Sequence, residues 1–251
     1  MEMVLVEHFG RVALVKLNHR VTNALSPKVV HKLETVLREV RDDDAVNGLV
    51  LASSNEKFFS IGFDIPELYK MSRDDFTGFY RLFNQICVEL FTLPKPTVAA
   101  ITGHAIAGGC ILALCCDYRF MAKGHKLMGL NEVKLGLPVP YLPDRLLHAL
   151  AGFRRAKEMM ESGEFYPPEK AFEMGIVDKI LPVKDVAKAA VEHADTIGGL
   201  PKEGYRIIKQ NRVEVIAEAV MARQDQKERI FIESWYSDEA RGRLQEAMKK
   251  F

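Results

Sequence analysis

No apolar run in this 251-residue chain approaches the ~18 residues that a membrane-crossing helix needs, which excludes a helical anchor. No block of like charge exceeds the acidic Asp42 to Asp44, and the formal net charge is +1, so neither nucleic acid nor an anionic membrane surface is expected as a partner. The four cysteines, Cys87, Cys110, Cys115 and Cys116, lack metal-ligand spacing and stand in apolar surroundings, which predicts buried, reduced thiols and no metal site. No repeat or low-complexity stretch is present. A cationic, apolar leader is missing, and the final residues Ala247 to Phe251 do not spell a peroxisomal address, so a bacterial cytosol is the expected location. What remains is ordinary for a globular protein: 48% apolar and 27% charged residues, on a chain long enough to bury a full core. A small-molecule ligand is the expected partner.

The apolar pattern alternates between two periods. Val4 to Phe9 and Val12 to Leu17 flank Gly10-Arg11 and read as a hairpin. Ser26-Pro27 supplies a capping hydroxyl followed by proline at the first helical position, and Val29, Val30, Leu33, Val36, Leu37 and Val40 keep helical spacing to about Arg41. Gly48 to Ser53 has the form of a buried strand. Helical spacing returns from about Phe76 to Leu93, where Pro94 and Pro96 stop it. A strand over Thr97 to Thr102, a glycine turn, an all-apolar helix over Gly108 to Cys116 and a strand over Tyr118 to Ala122 follow. This is an α/β core. From Pro201 onward only helical spacing occurs, so residues 1–196 are expected to form the core and 197–251 a helical appendage.

Two glycine turns stand where strands feed helices. Such loops present free backbone N–H groups and the positive end of a helix to a ligand. One is Ser60-Ile61-Gly62-Phe63-Asp64, with Asp64 placed to cap a short helix at Ile65 to Tyr69; the other is Gly103 to Cys110. A Gly-Gly pair also serves close helix–strand packing, and that alternative stays open for Gly108-Gly109. Two N–H donors converging on one oxygen would make an oxyanion hole, where losing one donor typically costs on the order of 10²–10³ in rate.

These turns resemble those of the crotonase, or enoyl-CoA hydratase/isomerase, superfamily, and the likeness continues through Cys115-Cys116-Asp117-Tyr118-Arg119, Gly129-Leu130-Asn131-Glu132 and Gly175-Ile176-Val177-Asp178. The resemblance implies a spiral of repeated ββα units with a helical C-terminal trimerisation region over 197–251. It implies an acyl-CoA thioester substrate, coenzyme A entering only as part of that substrate, no separate cofactor, and a homotrimer or dimer of trimers. The matching oxyanion donors are the amides of Phe63 and Gly108. Hydratases of the superfamily carry one glutamate on the helix after the glycines and a second in the later loop. Here the first position is Ile111, and only Glu132 remains. A lone carboxylate suits a 3,2-enoyl-CoA isomerase, which moves a proton from C2 to C4, and the Gly129 to Gly136 stretch resembles the monofunctional members of that group. Hydratase, hydrolase and decarboxylase chemistry on the same scaffold are the alternatives.

The same resemblance assigns Ala24, Ser60, Ile61, Gly62, Phe63 and Asp64 to the coenzyme A side of the site. Ile65, Leu68, Gly108, Ile111 and Leu135 are the expected acyl lining, joined by Tyr69 and Tyr141. His104 reads as a bonded histidine at a strand end, or as a thioester neighbour. Asp117 and Arg119 are expected to pair with each other, and Lys202, Arg206 and Lys209 to form a solvated helix face.

Overall fold

A computed structural model describes residues 2–249; Lys250 and Phe251, the end of the tail considered above, lie outside the described residues. Strands β1 (Val4–Phe9) and β2 (Val12–Leu17) form the antiparallel hairpin. Helix α1 (Pro27–Asp42) begins at Ser26, whose hydroxyl accepts from the Val29 amide. Its six buried residues are the ones whose spacing marked the helix.

Three turns of a spiral follow, each placing one strand in each of two sheets before a helix. The first is β3 (Gly48–Ser53), β4 (Phe58–Ser60), α2 (Ile65–Leu68) and α3 (Arg73–Thr92). The second is β5 (Thr97–Ile101), β6 (His104–Ile106) and α4 (Gly108–Leu114). The third is β7 (Tyr118–Ala122), β8 (Met128–Gly129), a 3-10 turn (Glu132–Leu135) and α5 (Tyr141–Ser162). Strand β9 (Phe165–Tyr166), α6 (Pro168–Glu173), β10 (Lys179–Leu181) and α7 (Val183–Gly198) close the core. The large sheet runs β1-β2-β3-β5-β7-β10 and the small one β4-β6-β8-β9.

The small sheet carries the site, because its parallel strands β4, β6 and β8 end side by side at the two glycine turns and at Glu132. Its strands are only two or three residues long, too short for alternation to show. Thus β6 falls inside what the sequence reads as one glycine turn. Helix α3 starts three residues before the apolar pattern does, since Ser72 caps it through the Asp75 amide.

The C-terminal segment is helical, as α8 (Lys202–Met221), α9 (Gln224–Trp235) and α10 (Asp238–Met248). Phe231, Ile232, Trp235, Ala240 and Leu244 join the main hydrophobic core, so α9 and α10 complete it instead of standing apart. One expected pairing and one expected exposure are corrected here. Asp117 binds the buried Lys209 at 2.8 Å together with Arg212, whereas Arg119 binds Asp178 at 3.1 Å. Lys209 therefore leaves the solvated face: it is 2% exposed and ties α8 to the strand end at Asp117. Asp117 stands just before β7 and Arg119 within it, and each finds a longer-range partner that periodicity does not reveal.

Candidate active site

The two glycine turns pack against each other through their backbones. Gly62 has φ 91°, and a Cβ there would stand 2.9 Å from the Gly108 nitrogen. A Cβ at Gly109 would overlap the Ser60 carbonyl, so this glycine does provide the close packing that the sequence allowed. Ala107, the residue before α4, has φ 46° and ψ −118°, a strained conformation for a residue with a side chain, which aims the start of the helix at the neighbouring turn.

Two amides of these turns have no backbone acceptor among the described residues. Phe63 forms a parallel bridge to Leu25 in which the bonds run from Leu25 N–H to the Gly62 carbonyl and from Asp64 N–H to the Leu25 carbonyl. The Phe63 N–H therefore points the other way and meets no protein acceptor among the described residues. Gly108 occupies the first turn of α4, where an N–H has no intrahelical acceptor.

Beside them lies an apolar cavity of about 870 Å³. Glu132 opens the 3-10 turn after β8 and reaches this cavity with its carboxyl buried and, among the described residues, no hydrogen-bond partner for Oε2. Burial raises its pKa from 4.5 to about 7, opposed by its own backbone amide and that of Asn131. Ile111, one turn into α4, supplies an apolar wall, joined by Leu135, Phe165 and Phe231.

Of the residues assigned from the sequence, Ile61, Phe63, Ile65, Gly108, Ile111, Glu132 and Leu135 line this one cavity. The others lie behind it. Ser60 is fully buried, its hydroxyl donating to the Asn23 carbonyl and accepting from the Gly62 amide, which braces the turn. Asp64 caps α2 through the Glu67 amide, and Leu68 is core. Ala24 is buried beside the Leu25 bridge, and Gly62 is walled by the second turn. Tyr141 faces a separate small cavity near Glu228, and Tyr69 stacks under the Arg241 guanidinium. His104 borders the cavity with Nδ1 accepting from the Leu127 amide; burial and then the nearby His125, Lys126 and Lys57 depress its pKa.

Sequence reasoning missed Asn131, whose Oδ1 is buried and unpartnered at the cavity wall, although it adjoins Glu132 in the chain. It also missed the wall formed by Phe231, Gly242, Arg243 and Ala247 of α9 and α10. No local signal places those residues there, since tertiary packing alone brings them over the small sheet.

A spiral of ββα turns that sets a buried carboxyl beside two packed glycine turns is the architecture of the crotonase class of acyl-CoA enzymes. The chain belongs to the enoyl-CoA hydratase/isomerase family, whose pattern matches residues 7–251. It is 28% identical over 235 residues to mitochondrial enoyl-CoA delta isomerase 1 of Homo sapiens, covering 93% of this chain and 78% of that protein. Similarity to the short-chain-enoyl-CoA hydratase of Clostridium acetobutylicum is 30% over 208 residues, covering 82% and 79%. The crystal structure of human mitochondrial delta3-delta2-enoyl-CoA isomerase superposes with a TM-score of 0.95 at 27% identity, covering 99% of this chain and 98% of that one.

Proposed function

We propose that the protein converts 3-enoyl-CoA to trans-2-enoyl-CoA, with Glu132 as the sole acid and base. The observation that carries this reading is the buried Glu132 carboxyl, with an oxygen unpartnered among the described residues, in an apolar cavity that Ile111 also lines, at the position where a hydratase of the superfamily would hold a second glutamate. Ionised Glu132 takes a proton from C2; the electron pair spreads over C2 to C4 and onto the thioester oxygen, which accepts from the Phe63 and Gly108 amides. Glu132 then returns the proton to C4, the double bond settles between C2 and C3, and no water is consumed. A pKa near 7 matches a group that must both accept and give a proton near neutrality. In this reading coenzyme A arrives as part of the substrate and no separate cofactor takes part.

The similarity to a hydratase makes hydration the competing reading. Incubation with 3-enoyl-CoA and with 2-enoyl-CoA in water labelled with oxygen-18 separates them. The expected product is unlabelled 2-enoyl-CoA, and labelled 3-hydroxyacyl-CoA as the main product would sink the isomerase assignment. The same reading includes a homotrimer, or a dimer of trimers. It is supported by the exposed apolar residues Leu200, Ile208, Val215 and Met221 on and beside α8. Light scattering should give three or six times the 28.3 kDa chain mass.

A further inference from the structure

Helix α2 directly follows the Phe63 amide, and at four residues it is too short to hold its own shape. Its front is fixed by the Asp64 cap and the Leu25 bridge. Its rear is gripped from the other end of the chain. Arg241 on α10 donates from Nη2 to the Tyr69 carbonyl at 2.9 Å, and its guanidinium carbon lies 3.3 Å from the centre of the Tyr69 ring. The same group stands 5.6 Å from the Tyr236 ring, whose hydroxyl donates to the Ser72 carbonyl at 3.0 Å and to the Met71 carbonyl at 3.3 Å. Nη1 of Arg241 is buried without a partner among the described residues, so this side of the guanidinium is held by the ring contact and not by a hydrogen bond. The next residues on α10, Gly242 and Arg243, border the cavity, whereas Arg241 does not.

We infer that Arg241 is a positioning residue: by clamping Tyr69 from α10 it sets where α2, and hence the Phe63 amide, stands relative to the Gly108 amide. The inference rests on the reading of those two amides as thioester-oxygen donors. It makes the C-terminal helix part of the chemistry as well as part of the wall. Misplacement of a reacting group by about 1 Å can lower a rate by around 10²-fold, so loosening a short helix two residues from the donor is enough to matter.

The test uses 4-(dimethylamino)cinnamoyl-CoA, a chromophore whose absorbance moves to the red when its thioester carbonyl is polarised by hydrogen bonds. The wild-type chain should bind it with a red shift. Arg241→Ala should bind it with a smaller shift and lose about tenfold or more in kcat on 3-enoyl-CoA, with KM changing less. The midpoint of its pH profile should stay where the wild type has it, because the substitution leaves in place Ala240, through which α10 packs beside Gly136 at the end of the Glu132 turn. Arg241→Lys should recover part of both losses, and Tyr236→Phe, which removes only the hydroxyl bonds to Met71 and Ser72, should move both readouts in the same direction by less. Full red shift and full kcat in Arg241→Ala overturn the inference whatever its melting temperature, as does a wild-type chain that binds the probe without any shift. A wild-type chain that shifts the probe but isomerises nothing overturns the isomerase reading instead, and the Arg241→Ala spectrum then decides this inference alone.

Discussion

At the scale of single residues, Glu132 sets two measurable pH dependences. The unfolded side chain ionises near 4.5, while the folded one holds its proton to about 7. Between those values the folded state binds more protons than the unfolded state, so stability falls as pH rises and levels off above about 7. The interval corresponds to roughly 3 kcal/mol as an upper bound. Glu132→Gln is therefore expected to be the more stable protein at pH 8 and to lose that advantage towards pH 4.5, as followed by denaturant unfolding. Catalysis runs the opposite way, because the base must be ionised. Wild-type kcat/KM should climb about tenfold per pH unit below about 7 and then flatten, and Glu132→Gln should lose on the order of 10²–10⁴ in kcat. A variant that gains stability while losing activity would locate the destabilised group and the reacting group in the same atom pair.

At the scale of elements, the buried pair of Lys209 and Asp117 joins α8 to the start of β7. Asp117 Oδ2 also accepts from the Thr97 amide and hydroxyl and from Tyr205, so the pair sits at the centre of a junction of three elements. Lys209→Met leaves that carboxylate without its buried cation, and should cost about 3 kcal/mol of unfolding free energy with little change in KM. Elements with long periodic faces were legible in the chain: α1, α3, β3, β5 and β7 fall within a few residues of where spacing and caps put them. The amides of Phe63 and Gly108 were legible only through resemblance, since a main-chain donor has no letter of its own. Strands β6, β8 and β9 were not, because two or three residues cannot display a period. The partners of Asp117, Arg119 and Arg241 lie 92, 59 and 172 residues away, beyond any local pattern.

At the scale of the whole molecule, the core runs from α1 through α4 to α10 without a break, so the expected division at residue 196 does not separate two packing units. Cys87, Cys110, Cys115 and Cys116 all lie inside this common core, and burial keeps the last three as neutral thiols. A thiol reagent should then label the native protein hardly at all and all four sites after denaturation. Labelling should follow the rate of global opening. Early modification of Cys110 alone would instead reveal a separate loosening around α4.

The contact between the Gly62 and Gly109 turns has a genetic consequence. Neither donor of the candidate hole belongs to a side chain, so among the twenty residues only proline, which has no N–H, removes one outright, and Gly108 stands at the first position of α4, where a helix tolerates proline. A saturation screen for inactive variants would register these donors as intolerance of proline at 63 and 108 and of any side chain at Gly62 and Gly109. Position 132 would register as loss of activity, whereas position 111, an apolar wall of the same cavity, is where a new polar group could change the reaction while the two turns stay locked.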